Sequence, residues 1–138
     1  MTFPAPVISE VSRPYWEGLA DGLLKYQHCG SCDERWLPAR SACPVCLTPD
    51  PVWLTASGTG HVVSWVVYHH AYTEYLKDKV PYDVTIVELD EGPRLLTNIV
   101  NSHAGADLLV GSKVGLAIEI EEGVALARFR LLQERDES

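Results

Sequence analysis

The sequence lacks any apolar run that approaches the ~20 residues of a membrane-spanning helix. It is also poor in positive charge, because 11 lysine and arginine residues face 19 aspartate and glutamate residues, for a net charge of −8. Its first residues lack the basic segment and apolar block of a secretory signal. We therefore expect a soluble, cytoplasmic protein that does not enter a membrane and has little affinity for nucleic acid.

The common catalytic motifs are missing as well. There is no H-E-x-x-H, G-x-S-x-G, P-loop or G-x-G-x-x-G motif, and the five histidines are scattered. His69 and His70 are neighbours on a predicted strand and would point to opposite faces. Glu74, Asp78 and Asp83 could supply an acid/base pair before the second barrel strand, but acids in such a loop are usually solvated. The sequence therefore predicts no catalytic residue.

All four cysteines lie in one short segment, at Cys29, Cys32, Cys43 and Cys46. Two disulfides would be unusual in a reducing compartment, and the chain has enough apolar residues to fold without them. The spacing C-x2-C-x10-C-x2-C predicts two knuckles that close a tetrahedral metal site. Zinc is the preferred metal, iron is an alternative, and a thioredoxin-like redox pair is weaker. Four thiolates leave no position for water, so we expect one structural Zn²⁺ per chain.

Three units are predicted along the chain. Residues 1–24 form an N-terminal extension with a helix, residues 25–54 a zinc ribbon, and residues 55–138 a barrel with a short acidic tail. In the first unit Ser12 is a candidate helix cap, and apolar side chains follow it at helical spacing. These side chains are Pro14, Tyr15, Trp16, Leu19, Ala20, Leu23 and Leu24.

Beyond the ribbon the apolar pattern changes to a period of two, which predicts strands. Glycine-marked turns join the second strand to the third and the fourth to the fifth as hairpins, and the link from Asn101 to Ser112 has room for a turn of helix. The predicted fold class is mainly β, with an N-terminal helix, a zinc ribbon and a five-stranded OB-fold barrel. The five strands are expected at Thr59 to His69, Val84 to Asp90, Leu95 to Val100, Val114 to Glu121 and Val124 to Leu132.

The charge of the barrel bears on its partners. From residue 55 onward 7 basic residues face 13 acidic residues, a balance of −6. OB barrels that hold single-stranded nucleic acid use a basic groove, so nucleic acid is not the expected partner. Arg128 and Arg130 share one face of the last strand and are the best candidates for a phosphate contact. Pairing with Glu119 and Glu121 across the hairpin is the favoured alternative.

Several aromatic and basic residues exceed what a small solvated fold needs at its surface. Tyrosine offers contact area at a low cost in side-chain entropy, so the tyrosine-rich segment from Tyr68 to Tyr82 is interpreted as a contact surface. For the N-terminal helix, docking on the protein's own ribbon and docking on a partner are equally favoured. The candidate contacts with a partner or a phosphate-bearing ligand are Tyr15, Trp16, Trp36, Arg40, Tyr72, Tyr75, Lys77 and Lys79.

The order of motifs resembles the DUF35 family of zinc-ribbon and OB-fold proteins. The resemblance rests on P-Y-W-E-G-L in the helix, the C-x2-C-x10-C-x2-C ribbon, G-x-G, and V-P-Y-D-V-T-I-V-E-L-D-E-G-P-R-L-L-T-N-I-V, and it runs from Arg13 to Leu132. It implies a rubredoxin-like ribbon, with Cys29, Cys32, Cys43 and Cys46 as ligands, followed by an OB barrel. It also implies a non-catalytic subunit that holds a thiolase-like enzyme, a hydroxymethylglutaryl-CoA-synthase-like enzyme or a lipid-transfer-type aldolase and helps to enclose coenzyme A.

Three hypotheses of function follow. The first, which the resemblance favours, is a scaffold for an acyl-CoA enzyme of the thiolase type. The second is a free-standing binder of single-stranded nucleic acid, and the third is a protein that binds or hydrolyses acyl-CoA by itself. Loss of the enzyme's activity when this chain is omitted, retardation of an oligonucleotide, and binding of a CoA ester by the isolated chain would distinguish them.

Overall fold

The computed structural model describes residues 6–71, 74, 77–103 and 105–132. Within them the chain forms one helix, a three-stranded ribbon sheet, and a barrel of longer strands with a small hairpin. The elements are α1 (Arg13–Ala20), β1 (Lys25–His28), β2 (Arg35–Trp36), β3 (Val52–Thr55), β4 (Thr59–Tyr68), β5 (Tyr82–Leu89), β6 (Arg94–Thr97), β7 (Lys113–Leu116), β8 (Glu119–Glu121), β9 (Val124–Leu126) and β10 (Phe129–Leu131).

Helix α1 begins where the sequence predicts and ends earlier. Ser12 lies at the N-cap position, but its hydroxyl makes no capping bond to the helix and instead accepts a 3.0 Å bond from the Ser9 backbone N–H. At the other end Gly22 has a φ of +84°. The backbone N–H of Leu23 reaches the carbonyl of Gly18 at 2.8 Å, which is the Schellman pattern that closes a helix. The predicted helical stretch from Leu23 to Leu24 is therefore wrong.

The barrel has the closure of an OB fold. Its five strands pair in the order β10-β7-β4-β5-β6, all antiparallel. A parallel bridge between Ile99 and Phe129 brings the segment after β6 against β10, and the backbone N–H of Val100 donates to the Phe129 carbonyl at 2.8 Å. Because both outer strands meet through this bridge, the sheet closes on itself. The predicted fold class is confirmed.

The last two predicted strands are each divided. The segment expected from Val114 to Glu121 is β7 and then β8, and the segment from Val124 to Leu132 is β9 and then β10. Strands β8 and β9 form their own sheet through a tight turn in which Glu122 and Gly123 have positive φ values of 48° and 84°. Strands β8 and β9 therefore lie outside the barrel sheet. The chain returns to that sheet at β10, where Phe129 pairs with β7 and forms the bridge to Ile99.

The long link before β7 contains turns and no helix in its described part, residues 101–103 and 105–112. The backbone N–H of Gly111 donates to the Val62 carbonyl at 2.7 Å, and the Val62 N–H donates to the Ser112 carbonyl at 2.9 Å. These bonds tie the link to β4, so a helical turn is not needed to satisfy its backbone. The turn of helix considered for this link is not formed in the part described.

The core joins the helix to the barrel and leaves the ribbon with a cluster of its own. Leu19 and Leu24, each 1% exposed, pack in one cluster with Val62, Val87 and Phe129. A second cluster, in the ribbon, consists of Cys29, Trp36 and Cys43. The helix therefore depends on the barrel core, whereas the ribbon depends on its cysteines.

No helix in the described part of the chain is long and apolar enough to cross a membrane.

Candidate metal centre and contact surfaces

The two C-x2-C segments form equivalent knuckles. The first links β1 to β2, and the second precedes β3. In each, the residue after the second cysteine donates its backbone N–H to the carbonyl of the first cysteine, and the first cysteine's N–H donates to the carbonyl five residues later. The four bonds are Asp33 to Cys29 at 2.9 Å, Cys29 to Glu34 at 2.8 Å, Leu47 to Cys43 at 3.0 Å and Cys43 to Thr48 at 2.9 Å.

The four sulfur atoms converge on one point. All Sγ atoms lie within 4.8 Å of one another, with 3.5 Å between Cys29 and Cys46 and 3.6 Å between Cys32 and Cys43. A tetrahedron with Zn–S bonds of about 2.3 Å has edges of about 3.8 Å, so the cluster has the dimensions of a zinc site. It holds one structural zinc ion, as the spacing predicts. Because all four positions are thiolates, none is left to activate water or a substrate.

The surroundings of the sulfurs differ, and so do their proton affinities before metal binds. The hydroxyl of Thr48, 3.1 Å from the Cys46 sulfur, is the main cause that lowers the pKa of Cys46 to about 6. The backbone N–H of Cys32 lowers the pKa of Cys29. The Glu34 backbone also lowers the pKa of Cys32, but desolvation and the facing thiols outweigh it and raise that pKa to about 12. Zinc binds cysteine as the thiolate, so its binding releases the protons that these thiols hold.

His28 lies beside the cluster and pairs with an acid. Its Nε2 is 2.5 Å from the Asp33 carboxylate, and this hydrogen bond is the main cause that lowers the pKa of Asp33.

Asp33 has a φ of +67°, and Leu47, at the equivalent place in the second knuckle, has a φ of +65°. Aspartate adopts this left-handed conformation more readily than leucine. Leu47 is the position where a glycine would ease the knuckle.

Gln27 organises the loop between the knuckles and was not predicted by the sequence. It is 2% exposed, and its Oε1 accepts a 2.7 Å bond from the Trp36 indole N–H and a 2.6 Å bond from the Arg40 backbone N–H. Its Nε2 donates to the Arg40 carbonyl at 2.9 Å. From sequence alone, a glutamine in a strand is expected to face solvent. Only the burial of Gln27 in the structure shows that it holds Trp36 and Arg40 in place.

The predicted contact residues of the helix and ribbon lie in different surroundings. Tyr15 and Trp16 are half-buried and meet edge to face, with ring centroids 5.0 Å apart. They line a cleft of about 700 Å³ between α1, the ribbon loop and strands β5 and β6. Trp36 lies inside the ribbon at 6% exposure, so little of it is left for a partner to touch. Arg40 is exposed beside the cleft residue Ala39.

The remaining contact residues belong to the tyrosine-rich segment. Lys77 and Lys79 are exposed, whereas Tyr72 and Tyr75 lie outside the described residues. The rings that bracket the segment, Tyr68 and Tyr82, stack with centroids 5.4 Å apart. A role for this segment in contacts therefore stays a prediction.

Other polar candidates have structural partners. Arg128 is held by Glu119 and Glu121, with nitrogen–oxygen distances of 2.6 Å to each, so the pairing favoured over a phosphate contact is confirmed for Arg128. Asp83 is a buried residue of β5 rather than a loop acid, and its carboxylate accepts from the Thr85 hydroxyl and the Ile99 backbone. His69 and His70 follow the end of β4 at Tyr68, so the prediction that both lie on the strand is wrong.

Two family comparisons cover most of the chain. Residues 16–52 match the family described as ChsH2, rubredoxin-like zinc ribbon domain. Residues 53–125 match the family described as ChsH2, C-terminal OB-fold domain. Among relatives of known description, a DUF35 domain-containing scaffold protein of Methanothermobacter thermautotrophicus is 32% identical over 108 residues, which are 74% of this chain and 80% of that protein.

Two further proteins are similar over almost the whole chain. A probable enoyl-CoA hydratase alpha subunit of Thermomonospora curvata is 33% identical over 136 residues, 98% of this chain. This chain spans 42% of that relative's length. A chain in the solved structure described as the Ltp2-ChsH2(DUF35) aldolase is 33% identical, with a TM-score of 0.79, and the match covers 92% of this chain and 98% of that one.

Proposed function

We propose, because this chain belongs to the DUF35 family of ChsH2-type zinc-ribbon and OB-fold proteins, that it is the non-catalytic scaffold subunit of an acyl-CoA enzyme. The enzyme subunit it holds is of the thiolase type or a lipid-transfer-type aldolase, which forms or cleaves carbon–carbon bonds next to a thioester. The proposed setting is the cytoplasm, where reduced thiols remain available to zinc.

One observation carries the proposal. A chain of the Ltp2-ChsH2(DUF35) aldolase is 33% identical to this one, and the match covers 98% of that chain. Almost every part of that chain therefore has a counterpart here. The closed zinc site supports the same conclusion. It stabilises a fold and offers no Lewis acid to a substrate, which suits a subunit that positions another protein.

We propose the division into three units, residues 1–24, 25–54 and 55–138, as the layout of this scaffold. In the same proposal the exposed Lys77 and Lys79 approach the phosphates of coenzyme A at the shared interface. A lysine ammonium on a flexible stem suits a mobile phosphate. Their contribution is to enclose the coenzyme arm rather than to react with it.

The test is reconstitution. The enzyme subunit that co-purifies with this chain is assayed for acyl-CoA carbon–carbon bond cleavage with and without the purified chain. We expect the enzyme alone to lose most of its turnover, and the isolated chain to turn over no thioester. Full activity of the enzyme without this chain contradicts the scaffold function, and thioester turnover by the isolated chain contradicts its non-catalytic character.

The coenzyme contact has its own test. Lys77→Glu/Lys79→Glu in the assembled complex should raise the KM for the CoA thioester and leave complex formation unchanged. The same substrate lacking the phosphates of coenzyme A should show no such difference between variant and wild type. An unchanged KM contradicts the contact and leaves the scaffold function standing.

A further inference from the structure

Strand β3 lies at an open edge of the ribbon sheet. The sheet has the order β2-β1-β3, so β3 is hydrogen-bonded on one side only. The backbone N–H of Ala56 donates to the Leu24 carbonyl, just before β1, at 2.8 Å. Successive residues of an antiparallel strand direct their backbone groups to opposite sides. Leu54 therefore also faces β1, whereas Trp53 and Thr55 face away from it.

The backbone groups that face away are available for pairing. Within residues 6–71, 74, 77–103 and 105–132, no hydrogen bond is made by the N–H or the carbonyl of Trp53 or Thr55. Edge strands are usually protected from pairing by charges, prolines or bulges. Strand β3 contains none of these, because V-W-L-T is uncharged and its register with β1 is regular. Its side chains Val52 and Leu54 are 51% and 37% exposed.

Both ends of this edge are closed. Pro51, just before β3, has no N–H to donate. The N–H of Ser57, beyond β3, already donates to the Glu91 carboxylate at 2.8 Å. Two copies of the strand can therefore pair fully in one antiparallel register, in which Trp53 lies opposite Thr55. A shift of two residues in either direction places one of them against Pro51 or Ser57 and loses a bond.

In that register the two-fold axis passes at Leu54, and the strand is complementary to itself. Trp53 of each copy exchanges both backbone hydrogen bonds with Thr55 of the other. Leu54 faces Leu54 of the second copy, with Cα atoms about 4.5 Å apart, and Val52 faces Ala56. Apolar side chains thus meet apolar side chains, and a tryptophan beside a β-branched residue is a favourable cross-strand pair.

We infer that β3 pairs with β3 of a second copy of this chain, so that two ribbon sheets become one continuous sheet. The contact is short, because a strand of four residues covers much less than the about 800 Å² that each partner gives to a stable interface. The dimer is therefore weak and forms at high concentration, or where an assembly holds two copies close together. The pairing involves this chain alone and does not depend on the proposed function.

A proline tests the backbone bonds. Thr55→Pro removes an N–H that faces away from β1, so the bonds within the ribbon stay, and proline is tolerated at such edge positions. Thr55→Val keeps the N–H and is the matched control. Sedimentation of the zinc-loaded chain is measured from about 10 μM to about 1 mM. We expect the mass of the wild type and of Thr55→Val to rise from 15.3 kDa toward twice that value, and Thr55→Pro to stay monomeric and folded.

A charge exchange tests the register. Because Leu54 faces itself across the axis, Leu54→Lys and Leu54→Glu should each weaken dimerisation by about fivefold or more through like charges. An equimolar mixture of the two variants should associate more tightly than either variant alone. Ile120→Lys and Ile120→Glu, at a side chain 72% exposed on the β8–β9 hairpin, are the controls and should behave as the wild type, alone and mixed.

Amide hydrogen exchange locates the contact. The amides of Trp53 and Thr55 should gain protection as the concentration of the chain is raised. The amide of Leu54, which faces β1, is the internal reference and should change little.

The opposite results overturn the pairing. A wild type that stays monomeric up to about 1 mM contradicts it, and so does a dimer that persists in folded Thr55→Pro. If Thr55→Pro does not fold, the charge exchange at Leu54 decides, and a mixture that associates no better than its components contradicts the register. If Trp53 and Thr55 gain protection only when the enzyme subunit is added, the occupant is that subunit and not a second copy. The scaffold function is tested separately by reconstitution and survives each of these results.

Discussion

The carboxamide of Gln27 accepts a 2.7 Å hydrogen bond from the indole N–H of Trp36 inside the ribbon. The same carboxamide holds both backbone polar groups of Arg40, at 2.6 Å and 2.9 Å. One buried side chain therefore fixes the loop in which Leu37, Pro38 and Ala39 form one wall of the cleft. The ribbon contributes to the shape of the cleft through this clamp.

Replacing Gln27 should loosen that loop. Gln27→Leu keeps the size of the side chain but leaves the Trp36 indole and the Arg40 backbone without partners in a buried site, at a cost of about 2–4 kcal/mol in the free energy of unfolding. Denaturant unfolding of the zinc-loaded protein measures it. Because the two residues share one bond, Gln27→Leu with Trp36→Phe should cost less than the sum of the single changes. A strictly additive double variant contradicts the clamp.

Removing zinc should unfold the ribbon before the barrel. The ribbon cluster is made of Cys29, Trp36 and Cys43, whereas the barrel core is built from other residues. Elemental analysis should find one zinc ion per chain, and Cys43→Ser should abolish its tight binding. In the chelated protein, amide exchange should show lost protection in β1 and β3 and retained protection in β4 and β5. Simultaneous loss in both sheets would show that the barrel needs the metal.

Asp83 should be needed for the closure of the barrel. Its carboxylate accepts from the Thr85 hydroxyl and, at 3.0 Å, from the Ile99 backbone N–H, next to the bridge between Ile99 and Phe129. Asp83→Ala leaves these donors buried and unpaired, so we expect a loss of about 2–4 kcal/mol in unfolding free energy. Asp78→Ala, at an exposed acid just before β5, is the matched control and should change stability by less than about 0.5 kcal/mol.

Tyr15 should make the protein sensitive to alkali. Burial raises the pKa of Tyr15 from its ordinary value of 10.0 to about 12. The unfolded chain loses this proton near pH 10 and the folded chain only near pH 12. The contribution of Tyr15 to the free energy of unfolding is therefore fully present below pH 10 and is lost as the pH rises to 12. The loss from this residue is up to about 2–3 kcal/mol.

The variant Tyr15→Phe has no hydroxyl proton to lose at this position. Its free energy of unfolding should therefore fall less steeply than that of the wild type over the same pH range. Urea unfolding of wild type and variant as the pH is raised measures the difference, in which changes at zinc and at other tyrosines cancel. A constant difference between wild type and Tyr15→Phe across the range contradicts the assigned burial effect.

The elements that the sequence predicted correctly are those whose signal is local. The C-x2-C repeats specify knuckles because ligand and backbone donor lie within a few residues of each other. The first three strand segments follow from alternation within each segment, whereas the last two are each divided in the structure. The glycine-marked turns set the hairpins between β5 and β6 and between β8 and β9. The helix end was misjudged because apolar spacing continues to Leu24, although Gly22 stops the helix by its backbone conformation.

The sequence alone thus determined the metal site, the class of the fold and the order of its units. The tertiary structure decided which polar residues turn inward, as Gln27 and Asp83 do, and where the last strands break so that Phe129 can meet Ile99. It also decided that Ile86 and Leu96 line one cleft with Tyr15 and Trp16. Alternation tells which residues of a strand lie together, but only pairing with distant strands tells which of the two faces water can reach.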